Sequence, residues 1–570
     1  MPDVGLLTPG ADLAPGSPAA LTDDVAVLRA MLRAEAAWVR VVVGHQAPHD
    51  GDTAGGAGSA GGAGSAGRAE SEGGADPADA AGSAGPSGAA SSPRADRGSD
   101  PAANRGSDPA ADRGSDPAAD RGSDPAADRV VDDIADPEAD RDIDADTDID
   151  AVVERLAGAD DDALALATRL ARAGGAGGNP VIPLVAALRE AAGTRLAPAV
   201  HAGLTSQDVL DTALVLVLRD AAHTAVTDLD RAAEAAARLA TEHRARPALA
   251  RTLAQAAVPT TLGARFAGWL QGILAARAFL DAVSDALPLA YGGAAGELSG
   301  LAALTEATDP PEATNPTRAT ELLATTDLAG PSSPAGPGSL TGTTGRSGVA
   351  GPTAPAGNPG TSRPEFALVE AWGAELGLPV GPAPWHGTRT PLVRVASALA
   401  ETCAALGKVA NDVLQAVRPG VGELREPAAP GRGTSSAMAH KRNPVLSVLV
   451  RSSAIAAPHL AAQVLGAAGL AVDERSDGAW HAEWPALQLL ARHTIASAHA
   501  AAELLEGLEV DTDAVARNLR DGLSDGRSDA GTAPDAGPAP DVGPAPDVGA
   551  AAAVVGRVLD QYAEQRGQGA

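Results

Sequence analysis

The sequence predicts an all-α fold built on a bundle of long helices and interrupted by segments that do not fold. Three observations predict it. Ala, Leu, Arg and Glu dominate residues 151–286 and 366–519, with apolar positions at helical spacing. Runs of β-branched residues are few there. The 66 Gly and 44 Pro gather in a few stretches instead of spreading evenly.

Residues 1–45 form an N-terminal helical segment. Its helix, LTDDVAVLRAMLRAEAAWVRVVVG at 21–44, can be capped by Thr22 and stopped by Gly44. Residues 46–150 are a low-complexity insertion, Gly/Ala/Ser-rich and then Asp-rich. It holds RGSDPAAN at 97–104 and three copies of RGSDPAAD ending at Asp128. A short repeat with a proline in each unit cannot bury a continuous face, so the segment is read as disordered. Gly56, Gly58 and Gly61 match the spacing GxGxxG, but no strand precedes them and no helix follows, so a dinucleotide site is excluded.

Residues 151–326 carry the remainder of the first helical domain and the start of the bundle. LDRAAEAAARLATEHRA at 229–245 reads as one amphipathic helix. Residues 327–363, rich in Gly, Pro, Ser and Thr, are a second disordered insertion. Residues 364–520 continue the bundle and begin a C-terminal domain. Residues 521–548 are low-complexity with APDVGP-like units, and 549–570 close the chain with a helix.

Composition excludes several functions. The single cysteine, Cys403, rules out a disulfide framework and a Cys-rich zinc site. The start MPDVGLLTPG lacks the basic and apolar regions of a signal peptide, so the expected location is cytoplasmic. No charge-free apolar stretch of membrane length is read, so no membrane span is expected. The net charge of −30 argues against nucleic acid. Residues 97–150 alone hold 17 acidic and 6 basic residues, a charge run that solvates the insertion. An anionic ligand therefore needs a local cationic pocket. There is no HExxH, GxSxG or P-loop, and His493 and His499 are not spaced as metal ligands on one helical face.

The chemistry concentrates in Gly433-Thr-Ser-Ser-Ala-Met-Ala-His-Lys-Arg-Asn-Pro444. Its Gly/Ser-rich entry makes a loop, and Pro444 suits the first turn of the apolar helix that follows. Backbone amides, two serines, a lysine and an arginine together can hold carboxylates. Lys441 is one of only two lysines, the other being Lys408, which reads as a solvated or paired helix residue. This segment resembles the GSSxMPxKxNP signature of the fumarase/aspartase superfamily. The resemblance implies that Ser436 is the general base and that Lys441 and Asn443 hold substrate carboxylate. Ala439 stands where the family has proline, which loosens the loop and removes no reacting group. A serine hydroxyl can serve as a base only where aimed N–H donors and a cation stabilise its anion in a closed, dry site.

His201-Ala-Gly-Leu-Thr-Ser-Gln-Asp-Val-Leu-Asp-Thr212 resembles the family's HxGxTSxDvxDT. Thr205 and Ser206 open a helix and make an anion seat, and His201 can position or protonate a carboxylate. Arg251-Thr-Leu-Ala-Gln-Ala-Ala-Val-Pro-Thr-Thr-Leu-Gly263 resembles RTxxQxAxPxTxG. Gln255 is an expected substrate contact, and Leu253 occupies the place where many relatives carry an acidic-step histidine. Leu253 and Trp480-His-Ala-Glu-Trp484 fit the 3-carboxy-cis,cis-muconate cycloisomerase branch better than adenylosuccinate lyase. Trp385-His-Gly-Thr-Arg389 resembles WHxxR and offers Arg389 as a substrate ligand. Gly292-Gly-Ala-Ala-Gly296 matches the family's GGAAG turn, where small residues permit close approach. His386 and His481 read equally as packing or capping residues.

The resemblance implies a three-part helical fold that assembles as a homotetramer, with each site drawn from several subunits. It implies a small tricarboxylate substrate, lactonised reversibly without metal or cofactor. A superfamily lyase of the adenylosuccinate type and a non-catalytic scaffold are the alternative readings. Low-complexity sequence after Asn518-Leu519 implies a shortened C-terminal domain.

Overall fold

The structure is a computed structural model, and it describes residues 8, 11, 16–46, 148–306, 363–438, 440–528 and 546–568. All of them belong to one compact unit formed by Met1–Ala47 and Val130–Ala570. The repeats, the GxGxxG match and almost all of the expected insertions lie outside the described residues.

After a short 3-10 helix at Pro18–Thr22 comes α1 (Asp24–Gln46). Asp23 starts it by accepting the N–H of Ala26 at 2.7 Å. Three helices follow, α2 (Ile149–Ala157), α3 (Asp160–Gly177) and α4 (Val181–Leu196). Helix α2 begins at Ile149, inside the expected insertion, because Asp148 accepts the N–H of Ala151 and supplies a cap. Next come α5 (Ser206–Glu242), β1 (Pro247–Thr252), β2 (Gln255–Thr261), α6 (Leu262–Asp285), α7 (Ser299–Glu306) and α8 (Pro364–Leu376). The chain ends with α9 (Thr390–Ala416), β3 (Leu424–Arg425), α10 (Val445–Gly469), α11 (Gly478–Glu506), β4 (Glu509–Val510), α12 (Thr512–Ser528) and α13 (Ala551–Gln568). Helix α12 runs to Ser528, so part of the stretch expected as low-complexity is helical.

Five of these helices make the bundle. Helix α5 packs on α6, α6 on α9, α9 on α10, α10 on α11 and α11 back on α5, which closes a ring. Their facing positions are largely Ala, Leu and Val, and small residues let the axes approach closely. Helix α1 lies against α5 and α8, where Trp38 and Trp372 meet edge to face with centroids 5.3 Å apart.

Two expectations need correction. Residues 151–286 are not helical throughout, because β1 and β2 form an antiparallel hairpin with Thr252 opposite Gln255. Pro247 and Pro259 break a helix, while Val258, Thr260 and Thr261 favour strand. The two-residue loop is Leu253-Ala254, with φ of +49° and +64°. Tight hairpin loops favour Asn or Gly at such angles, so this tip is strained. The second correction concerns α10. It is long and apolar enough to cross a membrane by length and composition, although it packs on α9 and α11 as a bundle helix. It also leaves Val448, Ile455 and Leu465 exposed by 51%, 60% and 60%, which marks an apolar face without a cover in one copy.

Candidate functional site

The 433–444 loop projects from the N-terminus of α10, and its two ends are fixed by backbone chemistry. The N–H of Asn443 donates to the Gly433 carbonyl at 2.8 Å, and Thr434 bridges to Arg442. Gly433 has φ +67°, and a Cβ there would come within 2.5 Å of the Asn443 carbonyl oxygen, so only glycine fits. Below the loop, Glu426 accepts the N–H groups of Leu446 and Ser447 at 3.0 and 2.8 Å. A carboxylate on the first turn of α10 suits the helix dipole and anchors the loop base. Within the loop the Ser435 hydroxyl accepts from the N–H groups of Ala437 and Met438. Ser436 and Lys441 are exposed, and Asn443 is half-buried.

A second group forms where α5 begins. The N–H of Thr205 donates to Asp208 Oδ2 at 2.8 Å, and the N–H of Gly293 reaches the same oxygen at 3.1 Å. Asp208 Oδ1 lies 3.0 Å from His386 Nε2, off a hydrogen-bonding line. A Cβ on Gly292 would sit 2.8 Å from that histidine ring, which is why the turn needs small residues. Arg475 donates from Nη1 to the Thr205 hydroxyl at 2.5 Å and from Nη2 to the carbonyls of Gly293 and Ala294. His201 and Ser206 are half-buried beside this seat. The cation is thus Arg475, which lies outside the motif residues singled out in the sequence. A lone arginine just before the WHAEW segment was the available signal.

Arg389 is placed elsewhere than expected. Its side chain is 1% exposed, and it donates to Asp211 at 2.6 and 3.0 Å and to Glu483 at 2.7, 3.0 and 3.2 Å. Trp480 donates its indole N–H to the same Asp211 at 2.9 Å. Burial works to lower the Arg389 pKa, but the two carboxylates outweigh it and raise it. Burial raises Glu483, with Arg389 pulling the other way. The WHGTR and WHAEW segments therefore meet in a buried ion cluster under α5, and no donor of Arg389 is turned to a substrate. His481 lies at the surface with Nε2 2.9 Å from the Gly178 carbonyl and Nδ1 3.2 Å from the Asp477 carbonyl, both of which only accept, and it serves packing there. Lys408 pairs with Asp412 one turn along α9.

Gln255 is exposed at the hairpin end, and Leu253 at the tip is 98% exposed. Glu423 locks this hairpin to the segment that leads into the 433–444 loop. It accepts from Arg251 at 2.7 Å, Arg265 at 3.1 Å and Asn518 at 2.9 Å. Burial raises its pKa, but these partners prevail and hold it below the usual carboxylate range.

One chain does not unite all of these groups. Arg475 follows the C-terminus of α10 and binds Thr205, whereas Ser436 and Lys441 precede its N-terminus. The 25 residues of α10 put about 37 Å between the two ends. Likewise the 37 residues of α5 separate Thr205 from the hairpin that carries Gln255 by about 55 Å.

A family profile described as Lyase matches residues 134–309 and 344–458, just over half of the chain. The chain belongs to this lyase family. That family is part of the fumarase/aspartase superfamily. The chain is 42% identical over 353 residues to the nitrosuccinate lyase of Streptomyces davaonensis, covering 61% of this chain and 63% of that protein. It is 36% identical over 354 residues to the 3-carboxy-cis,cis-muconate cycloisomerase of Bradyrhizobium diazoefficiens, covering 61% and 65%. The crystal structure of the 3-carboxy-cis,cis-muconate lactonizing enzyme from Pseudomonas putida aligns at 31% identity with a TM-score of 0.49, covering 63% of this chain and 69% of that one. The chain thus spans somewhat under two thirds of the length of these two curated relatives.

Proposed function

We propose that this lyase acts on a small polycarboxylate by removing or adding a proton at the carbon next to a carboxylate, and that its reaction is the reversible lactonisation of 3-carboxy-cis,cis-muconate to 4-carboxymuconolactone. The observation that carries the reading is the Gly433–Pro444 loop, which presents Ser436 and Lys441 to solvent from a base pinned by Gly433, Asn443 and Glu426. In the ring-closing direction one carboxylate of the substrate adds across a double bond of the same molecule. The electron pair moves onto another carboxylate as an enolate-like dianion. Lys441 and Asn443 from one copy, with Thr205 and Ser206 from another, hold that charge, and Ser436 Oγ–H delivers the proton to carbon. The opening direction runs in reverse, with Ser436 as the base. Loop closure excludes water from the anion.

Assembly follows from the same reading. The uncovered face of α10 and the two separated groups are both accounted for by an oligomer, a homotetramer as in the family resemblance, in which loops of one copy meet the Thr205–Arg475 seat of another.

The 42% identity to nitrosuccinate lyase favours a second reading. There Ser436 removes a proton from the carbon next to the nitro-bearing one, the C–H bonding pair closes the double bond, and the C–N pair leaves with nitrite. The two are separated by offering the purified chain each substrate in turn. Loss of muconate absorbance without nitrite release supports lactonisation. Nitrite release without muconate consumption supports the second reading. Turnover of neither, with the chain folded and oligomeric, contradicts both.

A further inference from the structure

Helix α1 buries a carboxylate on its inner face. Glu35 is fully buried, and among the described residues its side-chain partner is His201. Glu35 Oε1 lies 2.6 Å from His201 Nδ1, and Oε2 accepts the backbone N–H of the same residue at 3.1 Å. One turn along the same helix, Trp38 donates its indole N–H to the carbonyl of Ala202 at 2.9 Å. The 201–203 turn is thereby clamped to α1 in a backbone shape that would not persist unaided. His201 has φ +59° and Gly203 has φ +71°, and a non-glycine residue in that region is strained.

The two contacts of Glu35 also fix the protonation pattern of the ring. An ionised carboxylate only accepts, so the short contact requires the proton on Nδ1. Nε2 is then the nitrogen that gains and loses a proton. The ring stands in the same turn as Thr205 and Ser206, and 15% of its side chain is exposed. We propose that Glu35 is a positioning residue for catalysis, holding His201 in the Nδ1–H form so that Nε2 exchanges protons with the substrate. This rests on the reading that His201 meets substrate.

The geometry makes Glu35→Gln a sharp test. The backbone N–H of His201 must donate, so it selects the amide oxygen of the new side chain. The amide NH2 is left facing Nδ1, which must then accept, and the ring proton is forced onto Nε2. The shape is kept and the tautomer inverts.

Expected for Glu35→Gln are a melting temperature close to the parent, a kcat lower by about 100-fold or more, and a KM within about threefold. Glu35→Asp, which keeps an acceptor, recovers part of the rate. A parent-like kcat in Glu35→Gln overturns the proposal. So does equal loss of rate and melting temperature in both variants, which would mark a structural role. A second readout does not depend on turnover. In protein labelled with [15N]histidine, the His201 signals, assigned by their loss in His201→Gln, report Nδ1–H in the parent and Nε2–H in Glu35→Gln. The same tautomer in both overturns the proposal even if neither substrate above is turned over, whereas an inactive parent with the expected switch contradicts only the assigned reaction.

Discussion

Arg389 and Asp211 form a two-pronged buried pair, with Nη1 2.6 Å from Oδ2 and Nη2 3.0 Å from Oδ1. Glu483 closes the other side of the guanidinium, so one cation balances two buried carboxylates. Replacing Arg389 by Met leaves both buried anions without a cation. The expected loss is about 3–5 kcal/mol of stability, measured by urea unfolding, with KM within about threefold of the parent in any folded fraction. Parent-like stability with a KM raised tenfold or more would restore Arg389 to the substrate.

The uncovered face of α10 carries a second expectation. Val448 and Ile455 are two helical turns apart and share that face, exposed by 51% and 60%. Ile455→Asp places a charge at the proposed contact between copies. Size-exclusion chromatography with light scattering is expected to show a homotetramer for the parent and a smaller species for the variant. A parent that is monomeric at assay concentration contradicts the shared site.

Cys403 gives a third. Burial pushes its thiol up to about 12, with the Thr494 hydroxyl pulling slightly the other way. Native protein is expected to leave a disulfide reagent unreacted at neutral pH, and denatured protein to react with one equivalent. Rapid reaction of the folded chain would place the thiol outside the core.

His499 gives a pH dependence. Its bond to Asp228, at 3.4 Å, raises its pKa against the effect of burial. A raised histidine stabilises the fold fully below its unfolded value of about 6.5, and that contribution fades as pH rises through the folded pKa. The melting temperatures of the parent and His499→Gln should differ most in mild acid and converge in mild alkali. A gap that widens with pH would reverse the sign.

Much of this architecture is legible in the sequence because helical periodicity is local. The bundle helices follow from apolar spacing, and the helix start at Thr205 and the loop before Pro444 follow from their motif residues. The β1–β2 hairpin is not legible, because its tip is Leu253-Ala254 and lacks the Asn-Gly signal that usually marks such a loop. Arg389 shows the other limit. A motif arginine reads alike whether it meets substrate or two buried carboxylates, and only the fold brings Asp211 and Glu483 to it. Glu35 lies 166 residues from His201 in an alanine-rich helix, so nothing local marks it.

The account depends on Ser436 of one copy meeting the His201–Thr205–Arg475 group of another. The direct measurement is turnover by mixed oligomers of Ser436→Ala and His201→Gln chains, dissociated and reassembled together. Each variant alone is expected to be nearly silent, and the mixture to regain activity, because some sites then hold an intact serine and an intact histidine from different copies. A mixture as silent as its components, or full turnover by Ser436→Ala alone, would contradict it.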